Sequence, residues 1–354
     1  MKKELKNLFV YLNTNILSAM KILNNANEKK CLIVVDEKNK LLGTLTDGDL
    51  RRGILKGKNI NSSIKSLYKK KPFFLIKGKF KSNDVKNVFN KFPDLSLIPI
   101  IDKSKYVIDF LTPKKIFGDK KKISFLRKVK TVIMAGGKGT RLKPFTQILP
   151  KPLIPLRERP VIEHIIESFA KFGVRNFLIT INYKSRIIKS FFEEANLKYS
   201  IKFLEETKPL GTVGGLKKHS DKFNEPFFVT NCDTIINLDY EDLYKFHKKN
   251  NNDITLVAST KDFEIPYGVC ELNKKGTLLK IKEKPKFNFL TNTGLYVLNP
   301  KILNLVPKNK SFQMTQLIEV LRKNKRKVGV YPVEDKLWFD IGQWSQYRDT
   351  INRF

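Results

Sequence analysis

Hydrophobic residues in the last two thirds of the chain follow two alternating periods. Short apolar runs rich in β-branched residues predict buried strands, while apolar residues three and four apart predict amphipathic helices. The predicted strands are 131–134, 176–181, 200–204 and 226–230, and the predicted helices are 160–172, 185–195 and 212–221. Because strands and helices alternate, we predict an α/β domain whose mixed, mostly parallel sheet has helices on both faces.

The first third of the chain carries a shorter pattern that occurs twice. The first copy predicts helix, strand, turn, strand and helix over 14–25, 32–35, 41–45 and 47–55, and the second repeats this over 85–92, 95–101 and 106–111. The repeat predicts a tandem pair of α+β domains. A charge-dense stretch without a clear period follows, so we divide the chain into domains 1–120 and 130–354 with a linker at 121–129.

Composition restricts the class of protein. A hydrophobic fraction of 41% with 29% charged residues is typical of a soluble globular chain, and no apolar run could span a bilayer. The first lysines are interrupted by Asn and Glu, which argues against a signal peptide. Three scattered cysteines, Cys31, Cys232 and Cys270, indicate neither a disulfide framework nor a zinc site. We therefore expect a cytoplasmic protein without a membrane partner.

The net charge of +35 raises the alternative of a nucleic-acid-binding protein. However, 57 of the 69 basic residues are lysines, and they are spread along the chain without interleaved aromatic residues. Arginine, which reads bases better, is scarce. We therefore expect no nucleic-acid partner, although such a surface would attract nucleoside triphosphates and sugar phosphates.

The stretch 131–155 holds the strongest chemical signal. Its predicted strand runs directly into a glycine-rich turn that contains Ala135, Gly136, Gly137, Gly139 and Thr140. Glycines let the backbone approach a ligand closely, and a turn after a strand presents free N–H groups that suit phosphate and nucleobase. Taken alone, the same residues are also compatible with an ordinary tight turn among solvated cations.

Two cations follow this turn, Arg141 and Lys151, and prolines flank the second. The whole string, GGxGTRLxPxTxxxPKPLxP, resembles the signature of the sugar-1-phosphate nucleotidyltransferases. It differs from a Walker A loop and from a dinucleotide fingerprint. The resemblance implies a Rossmann-like domain that transfers a nucleotidyl group from a nucleoside triphosphate to a sugar 1-phosphate. It also implies that the glycine-rich turn binds the nucleotide and that Arg141 and Lys151 are catalytic.

A second motif also resembles one found in this family. It is Pro209-Leu210-Gly211-Thr212, at the start of a predicted helix. The resemblance implies that Pro209, Gly211 and Thr212 bind the nucleotide, whereas an ordinary helix cap by Thr212 is the alternative. The motif resembles the form found in guanylyltransferases, and the glutamine that reads uracil in related uridylyltransferases is absent near Pro209. GTP is therefore the favoured nucleotide.

Two aspartates resemble the metal ligands of the family. Asp233 follows a hydrophobic strand, and Asp340 lies on a second short strand just before Gly342. Carboxylates that are far apart in sequence can converge on one Mg²⁺ ion that also bridges triphosphate oxygens. Cys232 replaces the glycine that the family usually has, so we expect a different local turn.

Three further motifs imply the sugar side of the site. By resemblance, Gly268 and Asn292 border the sugar. By the same resemblance, Glu283 accepts hydrogen bonds from the sugar hydroxyls, and Lys284 contacts the sugar phosphate. In isolation, the run Glu283-Lys284-Pro285 is equally compatible with a solvated surface turn.

The repeat in the first third resembles a pair of cystathionine-β-synthase (CBS) domains. Such pairs often bind nucleotides through a G-x-x-T-x-x-D pattern, which the first copy matches through Thr46 and Asp49, with Asp47 beside them. The second copy departs from it, with Asp109 and Lys115 at the glycine and aspartate positions. Two alternatives stay open: one site for a regulatory nucleotide, or a repeat used only for dimerisation, with ordinary helix-start residues.

A CBS pair joined to this transferase domain resembles the guanylyltransferases of bacterial legionaminic acid synthesis, which make GDP-glucosamine from GTP and glucosamine 1-phosphate. We therefore predict this reaction in a homodimer. The alternatives are a guanylyl-, uridylyl- or cytidylyltransferase for another sugar 1-phosphate, and a non-catalytic subunit that senses nucleotides.

Overall fold

The chain divides into two compact units, residues 1–122 and 123–354. The computed structural model describes residues 3–26, 30–92, 95–117, 124–195 and 198–354.

The N-terminal unit contains the same arrangement of strands twice. Its helices are α1 (Lys3–Lys6), α2 (Ile16–Asn25), α3 (Asp47–Leu55), α4 (Ser82–Lys91) and α5 (Pro113–Phe117). Its strands are β1 (Phe9–Val10), β2 (Cys31–Val35), β3 (Leu41–Thr46), β4 (Leu75–Ile76), β5 (Ile98–Ile101) and β6 (Val107–Leu111). Two three-stranded sheets result, in the orders β1-β2-β3 and β4-β5-β6. In each sheet the first pair of strands is parallel and the second antiparallel, so the predicted internal repeat is present.

The core of this unit follows from the two sequence periods. Every residue of β2 is buried, as expected for a short apolar run between two other layers. Helix α2 buries Ile16, Ala19, Met20 and Leu23, which lie on one face at spacings of three and four. The prediction is less accurate for the second copy, where β5 begins at Ile98 instead of at residue 95.

The predicted linker at 121–129 is wrong over its second half. A 3₁₀-helix spans Phe125–Lys128, and its Leu126 is fully buried in the core of the C-terminal unit. One apolar anchor among charged neighbours has no periodicity, so the sequence pattern could not reveal it. Residues 121–123 of the predicted linker lie outside the described residues.

The C-terminal unit is built on a seven-stranded sheet. Its helices are α6 (Phe145–Ile148), α7 (Val161–Ala170), α8 (Ser185–Glu194), α9 (Gly211–Lys217), α10 (Tyr240–Lys249), α11 (Met314–Lys323) and α12 (Trp344–Arg353). Its strands up to the middle of the unit are β7 (Lys130–Met134), β8 (Pro155–Leu156), β9 (Arg159–Pro160), β10 (Asn176–Ile181), β11 (Ser200–Glu205), β12 (Phe227–Asn231) and β13 (Thr234–Ile236). The remaining strands are β14 (Ile254–Glu264), β15 (Val269–Leu272), β16 (Leu278–Lys282), β17 (Lys286–Leu298), β18 (Val328–Glu334) and β19 (Trp338–Asp340).

The sheet has the order β11-β10-β7-β12-β17-β14-β18. Four of its six strand pairs are parallel, and β17 is antiparallel to both of its neighbours. The predicted fold class, a mixed and mostly parallel α/β sheet, is therefore confirmed. The carboxyl ends of β7, β10 and β12 meet at one edge, which is where ligands bind in sheets of this kind.

A separate core lies on each face of this sheet. Successive residues of β7 point to opposite faces, so Ile133 belongs to one core and Val132 to the other. Helix α7 packs its apolar side into the first core, and α11 into the second. The predicted helix 212–221 is shorter than expected, because α9 ends at Lys217 and a 3₁₀-turn follows at Ser220–Lys222.

Strands β14 and β17 extend beyond the sheet as an exposed arm, which we define as residues 261–290. Within it the two strands pair with each other from Lys261↔Phe289 to Glu264↔Lys286, and β15 pairs with β16. The segment 286–290 is the first part of β17.

Candidate active site

The glycine-rich turn lies at the carboxyl end of β7. Gly139 has a left-handed backbone with φ of 65°, and a Cβ there would lie 2.8 Å from Thr146 and 3.1 Å from Lys151. The Thr146 hydroxyl donates a hydrogen bond to the Gly139 carbonyl at 2.9 Å, which holds the turn in this shape. Glycine is therefore required at 139 by both conformation and space.

The outer side of the turn is open. A Cβ at Gly137 would meet nothing within 4 Å, and Thr140 is exposed. Arg141 is also exposed and forms no ion pair or hydrogen bond with the residues that the structure describes. Ala135 instead donates its N–H back to Thr180 at 3.1 Å, so it anchors the turn to β10. Gly137, Thr140 and Arg141 are thus open to solvent, whereas Ala135 is bonded to the neighbouring strand.

Lys151 reaches from the end of the motif to the end of β12. Lys151 lies between Pro150 and Pro152 and is the first residue of a 3₁₀-turn that spans Lys151–Leu153. Its ammonium forms an ion pair with the Asp233 carboxylate, and only 12% and 13% of the two side chains are exposed. A cation held this firmly is a fixed positive charge at the edge of the sheet.

Asp233 and Asp340 converge although they are far apart in the sequence. Strands β13 and β19 pair with Thr234 opposite Asp340, and the Ile341 N–H donates to the Asp233 carbonyl at 2.9 Å. A Cβ at Gly342 would lie 2.9 Å from Asp340 Oδ1 and 3.1 Å from Asp233 Oδ2. The two carboxylates therefore face the same point, and glycine leaves that point open.

The Asp233 charge acts on the neighbouring Asp340 carboxyl group. Burial raises the pKa of Asp340, and the nearby Asp233 charge raises it further, while a hydrogen bond from the Gly342 N–H opposes the shift. Two converging carboxylate oxygens are hard ligands of the kind that Mg²⁺ prefers. The described residues contain no group of three or more His, Cys, Asp or Glu side chains suited to a metal. A Mg²⁺ ion here would therefore complete its coordination with substrate oxygens and water.

Glu206 is a further candidate that we did not select from the sequence. It follows β11, and a Cβ at Gly136 would lie 3.6 Å from its Oε2. The Leu210 N–H donates weakly to Oε2 at 3.5 Å, whereas Oε1 is buried without a hydrogen-bond partner. Burial raises the pKa of Glu206. The available signal was its position, because it lies two residues after the predicted strand 200–204 and three residues before the second motif.

The second motif is used in part for packing. Gly211 has φ of 76°, and a Cβ there would lie 2.7 Å from the Phe312 carbonyl oxygen. The Thr212 hydroxyl accepts a hydrogen bond from the Met314 N–H at 2.7 Å, so it caps α11 instead of its own helix. The alternative considered for Thr212, a cap of its own helix α9, is therefore wrong, because Leu210 holds that position without a side-chain hydrogen bond. Pro209 is exposed beside this loop.

The four predicted sugar-site residues are divided between two places. Asn292 lies on β17 within the sheet, and its amide donates to the Tyr296 hydroxyl at 2.7 Å. Gly268 and Glu283 are neighbours on the exposed arm, where a Cβ at Gly268 would lie 3.1 Å from Glu283 Oε2. Lys284, also exposed, has a left-handed φ of 43°. In the described part of the chain, no hydrogen bond or ion pair connects these three arm residues to Asp233.

The three candidate ligands of the CBS pair are engaged in local bonds. Thr46 and Asp49 form a capping box at the start of α3, with the Thr46 hydroxyl donating to Asp49 Oδ2 at 2.6 Å. Asp47 forms an ion pair with Arg51 at 2.5 Å. In the second copy, Lys115 lies 3.7 Å from the centre of the Phe110 ring. These contacts favour the alternative in which the residues are ordinary helix-start residues.

Comparisons with known proteins identify the family of the C-terminal unit. The nucleotidyl transferase family model matches residues 130–354, so the chain belongs to the nucleotidyl transferase family. A CBS domain model matches residues 1–56. Within the described part of the chain, no helix is both long and apolar enough to cross a membrane.

Two curated relatives share the transferase domain. Mannose-1-phosphate guanyltransferase 2 of Candida glabrata is 36% identical over 225 residues, which is 61% of this chain and 62% of the relative. Mannose-1-phosphate guanyltransferase of Saccharomyces cerevisiae is 34% identical over 226 residues, with the same coverage of 61% and 62%. The matched region thus covers 62% of the length of each of these relatives.

A solved structure shares the same domain. The crystal structure of HddC from Yersinia pseudotuberculosis matches with a TM-score of 0.51 at 26% identity, over 64% of this chain and 99% of that chain. The structure of HddC complexed with GMP-PN matches to the same extent, with a TM-score of 0.51.

Proposed function

We propose that this protein transfers a guanylyl group from GTP to a sugar 1-phosphate and releases pyrophosphate. The observation that carries the proposal is the convergence of Lys151, Asp233 and Asp340 at the edge of the sheet where the open glycine-rich turn also lies. Fixed charges of both signs beside free backbone N–H groups suit a polyphosphate and its counter-ion.

The chain would act by positioning and by charge stabilisation, without a covalent intermediate. A phosphate oxygen of the sugar 1-phosphate attacks the α-phosphorus in line, and the bond from that phosphorus to the bridging oxygen of pyrophosphate breaks. The turn N–H groups and Arg141 are placed to hold the departing phosphates, because both are exposed and unpaired in the described structure. Preorganised donors of this kind lower the barrier most where charge develops.

Asp233 and Asp340 would hold Mg²⁺ at the point beside Gly342. A Mg²⁺ ion bound there would neutralise phosphate charge in the transition state. Lys151 keeps the Asp233 carboxylate oriented through their ion pair. Gly342 keeps the point between the two carboxylates free of side-chain atoms.

The preference for guanine is supported by Glu206. Guanine presents two adjacent donors, N1–H and the 2-amino group, and a carboxylate accepts from both. Uracil and thymine present one N–H between two carbonyl acceptors, which a carboxylate would repel. The Oε2 atom of Glu206 faces the glycine-rich turn, because a Cβ at Gly136 would lie 3.6 Å from it, so the carboxylate lies beside the turn where we propose that the nucleotide binds. The relatives whose names specify a guanyltransferase are consistent with this choice.

Glucosamine 1-phosphate is the sugar substrate that we propose, for legionaminic acid synthesis. Its support is the arrangement of a CBS domain ahead of the transferase domain. Mannose 1-phosphate is the main competitor, because it appears in the names of the relatives. A uridylyl- or cytidylyltransferase is a weaker alternative, since neither base offers the two adjacent donors that suit Glu206.

The test is a matrix of GTP, ATP, UTP and CTP against glucosamine, mannose, glucose and N-acetylglucosamine 1-phosphates, with pyrophosphate release as readout. We expect the highest kcat/KM for GTP with glucosamine 1-phosphate. A preference for mannose 1-phosphate would overturn the sugar but keep the guanylyltransferase. If GTP binds but no pair releases pyrophosphate, the non-catalytic nucleotide sensor is the better account.

A further inference from the structure

A cavity lies in the C-terminal unit, at the end of the sheet opposite the candidate active site. Its volume is about 510 Å³. It is bounded by the segment just before β7, by residues 223–226 just before β12, and by one side of α10. Strand β7 has five residues, and at about 3.3 Å per residue it separates this cavity from the glycine-rich turn by roughly 15 Å. The cavity is therefore distinct from the catalytic edge.

One wall of the cavity is aromatic. Phe125 and Tyr244 both line it, and their ring centres are 5.6 Å apart. Phe125 is 45% exposed although it is a large apolar side chain. The Tyr244 hydroxyl already donates to the Pro226 carbonyl at 3.2 Å, and Tyr244 is buried, so Phe125 supplies the ring that a ligand can reach. Phe223, a third aromatic side chain, also lines the cavity.

The charged residues that line the cavity are mostly basic. Lysine supplies four of the eleven lining residues, against a single acidic residue, Glu225. Lys248 pairs with Glu225 at 3.2 Å, and Lys130 donates to a backbone carbonyl. The side chains of Lys128 and Lys245 have no ion pair or hydrogen bond with any residue that the structure describes. Two ammonium groups thus remain without an anionic partner beside the aromatic wall.

We propose that this cavity binds a small aromatic phosphate of the mononucleotide class. Its volume lies within the range of about 300–1,000 Å³ that small-molecule sites occupy. A purely apolar ligand would leave Lys128 and Lys245 unpaired, and inorganic phosphate would leave the aromatic wall in water. A base stacked near Phe125, with its phosphate at the two lysines, satisfies both. The proposal does not depend on the reaction that the catalytic edge performs.

The test is calorimetric titration of AMP, adenosine and ribose 5-phosphate into the full chain. We expect AMP to bind at least about tenfold more tightly than either fragment, because each fragment lacks one of the two contacts. The double variant Lys128→Glu/Lys245→Glu should lose about tenfold or more in AMP affinity, since it removes two charge-assisted contacts. The matched control is Lys249→Glu/Lys301→Glu, which changes the net charge equally at exposed positions outside the cavity.

A second variant isolates the aromatic wall. Phe125→Ala should weaken AMP while leaving ribose 5-phosphate unchanged, because only AMP carries a ring. Equal AMP affinity in the two double variants would overturn the proposal, since it would place AMP at another site on the chain. Absence of saturable AMP binding to the wild-type protein at millimolar concentration would also overturn it.

Discussion

The Lys151 ammonium and the Asp233 carboxylate form a nearly buried ion pair across 82 residues of sequence. It joins the end of the glycine-rich motif to the end of β12. Removing one partner of a buried pair leaves an uncompensated charge, which is more harmful than removing both. Lys151→Met should therefore lower the free energy of unfolding by about 3 kcal/mol, and the double variant Lys151→Met/Asp233→Asn should recover part of that loss. Urea unfolding of the four members of this cycle measures the coupling, and additive losses would contradict it.

The two aspartates should be essential for turnover. If they hold Mg²⁺, Asp233→Asn and Asp340→Asn should each lower kcat by at least ~10²-fold, because an amide is a weaker ligand than a carboxylate. Steady-state kinetics over a range of Mg²⁺ concentrations provides the measurement, with circular dichroism to verify folding. Asp221→Asn, an exposed aspartate outside the site, is the matched control. Near wild-type turnover in either folded variant would remove the metal assignment.

Arg141 should act on the transition state. Its side chain is exposed and unpaired among the described residues, so its loss should affect activity without affecting the fold. Arg141→Ala should lower kcat/KM by roughly 10²–10³, the range for one preorganised donor. Arg141→Lys should recover only part of this, because it lacks the planar fork. Identical kinetics in all three proteins would identify Arg141 as an ordinary surface residue.

Glu206→Gln should weaken GTP use while stabilising the fold at neutral pH. The glutamine amide presents donors to a guanine edge that also presents donors, so KM for GTP should rise roughly 10–100-fold. Burial raises the pKa of Glu206 above its ordinary value of 4.5. Its ionisation therefore opposes folding at pH 7, and the variant should be the more stable there but not below pH 4.5. Urea unfolding at pH 7.5 and pH 4, together with GTP kinetics, tests both halves; an unchanged KM would reject Glu206 as the guanine reader.

His247 should make stability fall in mild acid. It is buried, its Nδ1 lies 2.9 Å from the Thr255 hydroxyl, and burial lowers its pKa from 6.5 to about 4. The folded protein therefore binds fewer protons than the unfolded chain between these values, so stability is full above pH 6.5 and is lost as the pH falls toward 4. In His247→Gln the slope of unfolding free energy against pH should be smaller by up to ~1.4 kcal/mol per pH unit. Parallel slopes in the two proteins would show that another group titrates.

Local patterns in the chain were enough to predict most elements of the fold. Strand β10 spans 176–181 and α3 spans 47–55, both as predicted, because hydrophobic period and helix-start residues act within a few positions. The same holds for the glycine-rich turn, where the left-handed conformation of Gly139 is a local demand. The predicted linker was the main error, because the burial of Leu126 depends on the core of the C-terminal unit and not on the residues beside it in the sequence.

The candidate site depended on contacts between distant segments. Asp233 and Asp340 were both identifiable as candidates, but their shared point beside Gly342 exists because β13 pairs with β19. Threonine is a residue type that often caps its own helix, yet Thr212 caps α11, about a hundred residues away. Such contacts cannot be deduced from residue type or spacing, because they arise when packing of the whole domain brings separate strands and loops together. Local chemistry thus specified which residues could react, and the folded sheet specified which of them meet.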